Sequence, residues 1–227
     1  MKYKGILLDL DNTLYNYDYP HQIALKKVSE FFYLEHNINS DTFFKLYINS
    51  RQTIHSNLIG LASSHSRLLY FQNLCENLGV SPFKYALTAN KLYWATFIDE
   101  MKLYDGVMNF FKSYKGKICI VTDLTSEIQF KKINKLKIDQ YIKYIVTSEE
   151  SGCEKPNSNI FLKALNKINL KPNEVCMIGD NFNKDIIGAI NLNIDSYWLN
   201  NEKSQSISNS NEKTIIINSF TDLLNYI

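Results

Sequence analysis

Arginine is almost missing from this chain of 227 residues: Arg51 and Arg67 are the only two, against 23 acidic residues. Lysine supplies nearly all the positive charge, and the net charge of +2 is too small to call for nucleic acid or a membrane surface as a partner. No apolar run approaches the roughly 18 residues that a transmembrane helix needs. The opening Met1-Lys2-Tyr3-Lys4-Gly5-Ile6 leads directly into a strand-like run, without the longer apolar region and small-residue cleavage site of a signal peptide. A cytoplasmic protein is the expectation. The four cysteines, Cys75, Cys119, Cys153 and Cys176, contain no Cys-x-x-Cys pair, which argues against a zinc site. Cys119 and Cys176 lie inside apolar runs and read as small core residues. What remains is an ordinary globular balance, 45% hydrophobic and 21% charged, in a length that suits one large domain or a domain with an insertion. No internal repeat is present, and the reading leaves monomer or homodimer open.

Three short apolar runs carry the information. Gly5-Ile6-Leu7-Leu8 runs into Asp9-Leu10-Asp11-Asn12-Thr13, Lys117-Ile118-Cys119-Ile120 into Val121-Thr122-Asp123, and Val175-Cys176-Met177-Ile178 into Gly179-Asp180 and on to Asp185. Such runs ending in acidic or small polar residues read as buried parallel strands at their carboxyl ends, the edge where open α/β sheets bind ligands. Carboxylates gathered at one edge repel one another, so something cationic must sit among them.

Between the first two runs the rhythm is helical. Ile23, Ala24, Val28, Phe31 and Phe32 recur at helix spacing from about Pro20 to His36, and Ser40-Asp41 can cap a second helix. A third is predicted from Ser66 to Leu78, ended by Gly79, and a fourth after Ser81-Pro82. Four helices without a strand predict an inserted helical domain over 17–100, with the α/β core in 1–16 and 101–227. From Asp105 onward strands and helices alternate, with further strands at Tyr144–Val146, Ser196–Leu199 and Thr214–Ile217 and a helix near Asp185 to Asn191. This is the pattern of a parallel sheet covered on both faces. The polar stretch from Asn200 to Lys213 reads as a surface loop.

Asp9 and Asp11 stand two apart on an extended end. An aspartate can attack phosphorus, and a second can protonate the leaving oxygen and later deprotonate water. The Thr122 hydroxyl and the neighbouring backbone N–H groups can hold phosphate oxygens. Lys155, kept extended by Pro156, can neutralise Asp9 and a phosphoryl group together. Asp180 can ligate Mg²⁺, and Asp185 can orient Asp180 or a bound water. Each motif alone also reads as an ordinary polar turn or helix cap; the four in one order, each after its own strand or loop, point to metal-assisted phosphoryl transfer.

With Asp9-Leu10-Asp11-Asn12-Thr13-Leu14, Thr122, Lys155-Pro156 and Gly179-Asp180-Asn181-Phe182-Asn183-Lys184-Asp185 in place, the chain resembles the haloacid dehalogenase superfamily of hydrolases over nearly its whole length. The resemblance implies a Rossmann-like parallel sheet with an inserted four-helix cap. It implies Asp9 as nucleophile and Asp11 as general acid/base. Asn12, Thr122, Asp123 and Lys155 then bind phosphate, and Mg²⁺ is held by the Asp9 carboxylate, the Asp11 backbone carbonyl and Asp180, with Asp185 in support. Many relatives have asparagine where this chain has Asp123, so its backbone N–H remains a phosphate donor while its side chain carries an extra negative charge.

The true dehalogenases of the superfamily lack the second aspartate, because a halide leaves without a proton. Asp11 therefore favours a phosphate ester, and the expected partner is a small phosphorylated metabolite: a sugar, nucleotide or glycerol-type phosphate. A phosphomutase has the same residues, and a phosphonate hydrolase would add a cap lysine, with Lys26, Lys27 and Lys45 available. A phospho-accepting signalling module would share the acids, threonine and lysine but not the helical insertion. Candidates for substrate choice are Arg51 and His55, four apart on one helix, and Tyr15 and Tyr17 near the entrance.

Overall fold

The computed structural model describes residues 2–200, 214–224 and 226. The chain divides into two compact units, Met1–Asn16 with Lys102–Ile227, and Tyr17–Met101. In chain order β1 (Gly5–Leu8) is followed by the helices of the second unit: α1 (Asp18–His36), α2 (Ser40–Asn57), α3 (Arg67–Leu78) and α4 (Pro82–Glu100). The first unit resumes with α5 (Val107–Ser113), β2 (Lys117–Thr122), α6 (Ser126–Leu136), β3 (Tyr144–Thr147) and the single turn α7 (Ser148–Ser151). Then come α8 (Ser158–Ile168), β4 (Val175–Gly179), α9 (Ile187–Ile190), β5 (Asp195–Leu199), β6 (Thr214–Ile217) and α10 (Phe220–Leu223).

The described strands form one parallel sheet in the order β3-β2-β1-β4-β5-β6. The chain moves outward from β1 through β2 to β3, then crosses to the other side of β1 for β4. The carboxyl ends of β1 and β4 therefore flank the topological switch point, where such sheets open a crevice. Register carries the motifs there together: Leu8 lies beside Ile120 of β2 and Ile178 of β4, so Asp9, Val121-Thr122 and Gly179-Asp180 emerge side by side. One sheet face is packed by α8 through Ile160, Phe161, Ala164, Leu165 and Ile168 against Leu7, Cys119, Val121, Val175 and Met177. At about 25 cal/mol per Å², full burial of each valine, leucine, isoleucine, phenylalanine or methionine among them contributes roughly 1.5–3 kcal/mol. Cys119 and Cys176 are buried in the strands as free thiols.

The helical unit follows from local signals. Asn39 rather than Ser40 caps α2, its side chain accepting from the Thr42 N–H at 2.9 Å. Ser66 caps α3, Gly79 ends it at φ 70°, and Pro82 opens α4 where its missing N–H costs nothing. Phe32, Phe43, Tyr47, Phe71, Tyr93 and Phe97 are buried between the helices. Three details differ from expectation or lie outside view. Asp185 does not open a regular helix but sits inside a wide turn, Phe182–Ile186, that precedes α9. α1 begins at Asp18, before Pro20. Of the predicted loop from Asn200 to Lys213, residues 201–213 lie outside the described residues.

His21 on α1 gives this unit a pH dependence. Its Nδ1 lies 2.6 Å from the Tyr93 hydroxyl, and burial, then the charge of Arg51, lowers its pKa to about 4. An unfolded histidine takes up a proton near pH 6.5 that folded His21 refuses until about 4, so stability is lost as pH falls through that window. His21→Gln is expected to remove roughly 3 kcal/mol of the acid destabilisation at pH 4. Melting curves at pH 7 and 4.5 for both proteins check this; parallel losses on acidification contradict it.

Candidate active site

Four carboxyl-end segments meet at the switch point. β1 hands its chain to Asp9, whose N–H donates to the Ile178 carbonyl of β4 at 2.9 Å. Asn12 takes φ 62°, a left-handed conformation that asparagine tolerates, and the chain turns back so that the Leu14 N–H reaches the Leu10 carbonyl. Thr13 then donates to Asp9 Oδ2 at 2.8 Å and lies 3.1 Å from Asp180 Oδ1, tying the first motif to the last.

The Lys155 ammonium is buried and donates to Asp9 Oδ1 at 2.5 Å, Asp185 Oδ1 at 2.7 Å and the Val121 carbonyl at 3.0 Å, which uses all three of its protons. The Lys155-Pro156 peptide bond is cis. Asp185 is held in turn by the Asn181 N–H. It lies so close to Gly179 that any Cβ there would run into its carboxylate, which is why the strand must end in glycine. Trp198 of β5 donates to the Asp180 carbonyl at 2.7 Å and fixes that turn from the other side.

Electrostatics at this point are unbalanced. One carboxylate oxygen each from Asp9, Asp180 and Asp185 lies within 4.8 Å of the others. Burial, and then the neighbouring negative charges against the pull of Lys155, raises the Asp9 pKa well above the carboxylate range. Burial and the Asp185 charge raise that of Asp180 to about 6, and burial raises that of Asp185. Burial works against the charge of Lys155, but the Asp185, Asp9 and Asp123 carboxylates outweigh it and raise its pKa. Three carboxylates against this one ammonium leave an excess negative charge. An all-oxygen set with that excess fits a hard divalent cation such as Mg²⁺. Asp185 is thus among the grouped carboxylates, while the Asp11 side chain is not.

Asp11 turns instead to α6. Lys132 reaches its two oxygens at 2.6 and 2.9 Å, Gln129 donates to Oδ2 at 3.1 Å, and the Tyr15 hydroxyl donates to Oδ1. Burial opposes the charged form, yet the Lys132 ammonium with these hydrogen bonds lowers the carboxyl's pKa below its usual value. Two carboxylates two residues apart are therefore pushed in opposite directions, Asp9 toward its protonated form and Asp11 toward the ionised form in which it can act as a base. Thr122 is buried, and Gln129 donates to its Oγ1 at 2.6 Å. That bond occupies an acceptor position and leaves the hydroxyl proton to be donated.

The remaining expected residues lie in varied surroundings. The Asp123 side chain accepts the Lys155 N–H at 3.0 Å and pairs with Lys184 at 2.8 Å, so its charge is spent on the lysine loop. Tyr15 has no exposed surface and cannot line an entrance; its ring is packed in the core unit and its hydroxyl serves Asp11. Tyr17 belongs to the helical unit, where it stacks on His21 and accepts from Arg67. Arg51 and His55 line a cavity of about 300 Å³ with Ile48 and Gln52. Lys26, Lys27 and Lys45 are exposed, without the desolvation that activates a Schiff-base lysine.

Sequence reasoning passed over Lys132, Gln129 and Arg67. A signal existed for the first two: with Ile128, Ile133 and Leu136 they complete the buried stripe of α6, and a lysine on such a stripe needs an acidic partner. Arg67 is buried among Tyr17, Tyr70, Tyr93 and Trp94. No pattern in the sequence distinguished it from Arg51.

Comparison with known proteins agrees with this geometry. A family model described as haloacid dehalogenase-like hydrolase matches residues 3–193. A ribulose-1,5-bisphosphate 5-phosphatase of Halopiger xanaduensis is 33% identical over 193 residues, covering 82% of this chain and 80% of its own. A glyceraldehyde 3-phosphate phosphatase of Methanopyrus kandleri is 27% identical over 217 residues, covering 93% and 90%. Among solved structures, the HAD-hydrolase YfnB of Bacillus subtilis, bound to magnesium, superposes with a TM-score of 0.73 at 20% identity, covering 99% of this chain and 98% of its own.

Proposed function

The chain belongs to the haloacid dehalogenase-like hydrolases, and from that premise we propose that it is a Mg²⁺-dependent phosphatase of small phosphorylated metabolites. The observation that carries the reading is the buried Lys155 ammonium joining Asp9 to Asp185, with Asp180 in the same group of carboxylates. A bound Mg²⁺, with the carboxylates of Asp9 and Asp180 and the backbone carbonyl of Asp11 as its ligands, would offset phosphate charge.

In the proposed reaction an Asp9 carboxylate oxygen attacks phosphorus and the bond to the leaving oxygen breaks. Asp11, protonated when substrate is bound, supplies the proton that the departing alkoxide needs, and Lys132 stabilises the carboxylate left behind. Asp11, now a carboxylate, takes a proton from water; the water oxygen attacks phosphorus and the bond to Asp9 breaks, releasing phosphate and restoring both side chains. Thr122 donates its hydroxyl to a phosphate oxygen, and Asn12 and the Asp123 N–H are proposed to bind the others. Lys155 keeps Asp9 oriented and offsets charge on the phosphoryl group. The relatives named above act on phosphorylated sugars, which supports sugar phosphates as the first class to test. The helical unit is proposed as the cap, with Arg51 and His55 contributing to substrate choice.

A panel of sugar, triose, glycerol and nucleoside monophosphates, assayed for released phosphate, tests the proposal. Turnover of at least one class is expected, falling by about 100-fold or more when EDTA removes divalent ions. Turnover indifferent to chelation, or no release from any member, overturns it.

A further inference from the structure

We propose that Gln129 and Lys132, one helical turn apart on α6, are positioning residues that hold the Asp11 carboxylate and the Thr122 hydroxyl in a fixed mutual geometry for phosphoryl transfer. The proposal rests on the reading of Asp11 as the acid/base and deepens it.

Both oxygens of Asp11 are gripped. Oδ1 takes the Tyr15 hydroxyl and the Lys132 ammonium, and Oδ2 takes Lys132 and Gln129. Three donors on one carboxylate fix its rotation as well as its place. Lys132 itself has no exposed side-chain surface, whereas Asp11 keeps about a quarter of its own. The clamp is therefore the rigid member and the aspartate the accessible one.

Gln129 extends the grip across two motifs. The same amide nitrogen reaches Asp11 Oδ2, Thr122 Oγ1 and the Asp123 carbonyl at 3.1, 2.6 and 3.1 Å. Its buried Oε1 has no hydrogen-bond partner. A glutamine serving only stability would satisfy its carbonyl at least as well as its amide. Here the two amide protons are shared among three acceptors, two of them on residues read as catalytic or phosphate-binding. An i, i+3 pair on a packed helix is a stiff mount, and a displacement of an ångström at a reacting group is costly.

The readout is the leaving group. Nitrophenolate departs without help, whereas an alkoxide needs the proton that Asp11 supplies. Lys132→Met is expected to lower kcat/KM for the best alkyl phosphate of the panel by about 100-fold, and for p-nitrophenyl phosphate by less than about 5-fold. Lys132→Arg recovers part of the loss. Gln129→Leu, which strands no charge, has the same selectivity and stands in should the methionine variant fail to fold. Asp11→Asn has this selectivity too, and adding Lys132→Met to it costs nothing more. Equal losses for both substrates, additive losses or no loss overturn the proposal. A crystal structure of either folded variant adds a readout independent of turnover: Asp11 leaves its present rotamer, and an unmoved Asp11 refutes the clamp. Failure of the phosphatase reading is recognised separately, by the parent protein releasing phosphate from no member of the panel.

Discussion

Asp9→Asn abolishes phosphate release, by on the order of 10⁴-fold or more, while the melting temperature holds or rises. The two halves of that result have one cause. Asp9 is buried beside Asp180 and Asp185, and burial holds its pKa well above normal. Ionised Asp9 thus destabilises the fold that carries it, which is how functional sites commonly stand against stability. An amide of the same shape keeps an oxygen toward Lys155 and removes one of three clustered negative charges. It also removes the oxygen that attacks phosphorus, and with it the covalent route. Parallel measurement of phosphate release and thermal unfolding checks both. Retained turnover ends the proposed mechanism; lost turnover with a collapsed melting temperature assigns Asp9 to structure instead.

Lys155→Met loses both activity and stability. The ammonium makes three short contacts in a buried position, to Asp9, Asp185 and the Val121 carbonyl. Removing one partner of a buried ion pair leaves the other charge uncompensated, at a cost of roughly 3–5 kcal/mol. Here the stranded charges are Asp9, Asp185 and their neighbour Asp180, so the upper part of that range is expected. Turnover falls by about 10²–10³-fold or more, since removing one preorganised donor to a developing negative charge has that effect. Mg²⁺ recovers part of the lost melting temperature by offsetting the same carboxylates. Denaturant titration with and without Mg²⁺ measures this; a variant as stable as the parent contradicts the charge arrangement described for the site.

The contrast between the two variants separates the roles of neighbours 2.5 Å apart. In the proposed mechanism one supplies the reacting atom at a cost in stability, and the other holds the group in place. The same division is proposed at Asp11, where the carboxylate read as acid/base is partly accessible and its Lys132 partner is buried.

Much of the architecture was legible from local patterns. Gly5–Leu8, Lys117–Thr122 and Val175–Gly179 are short apolar runs bounded by polar turns, and each became a strand of the parallel sheet. Gly79 and Pro82 marked the end of one helix and the start of the next because their backbone limits act without help from the rest of the chain. The wide turn at Phe182–Ile186 was not legible. Asn181 caps it through the Lys184 N–H, and its shape answers to Asp185 folding back against Gly179, a contact with no periodic signature.

The sequence by itself determined which groups arrive at the carboxyl edge of the sheet: Asp9 and Asp11 after β1, Thr122 at the end of β2 with Asp123 after it, Asp180 after β4. Strand ends and turn residues are local properties, readable without partners. Only the tertiary structure decided what each group faces. It turned Asp11 toward Lys132 and Gln129, committed the charge of Asp123 to Lys184 and the Lys155 N–H, buried Tyr15, and brought Asp185 up to Asp9. Such pairings span the chain: Lys155 meets Asp9 from 146 positions away, and Lys132 meets Asp11 from 121. They are settled by burial, because a charge withdrawn from water must find its opposite within a few ångströms, and which opposite is nearest depends on packing.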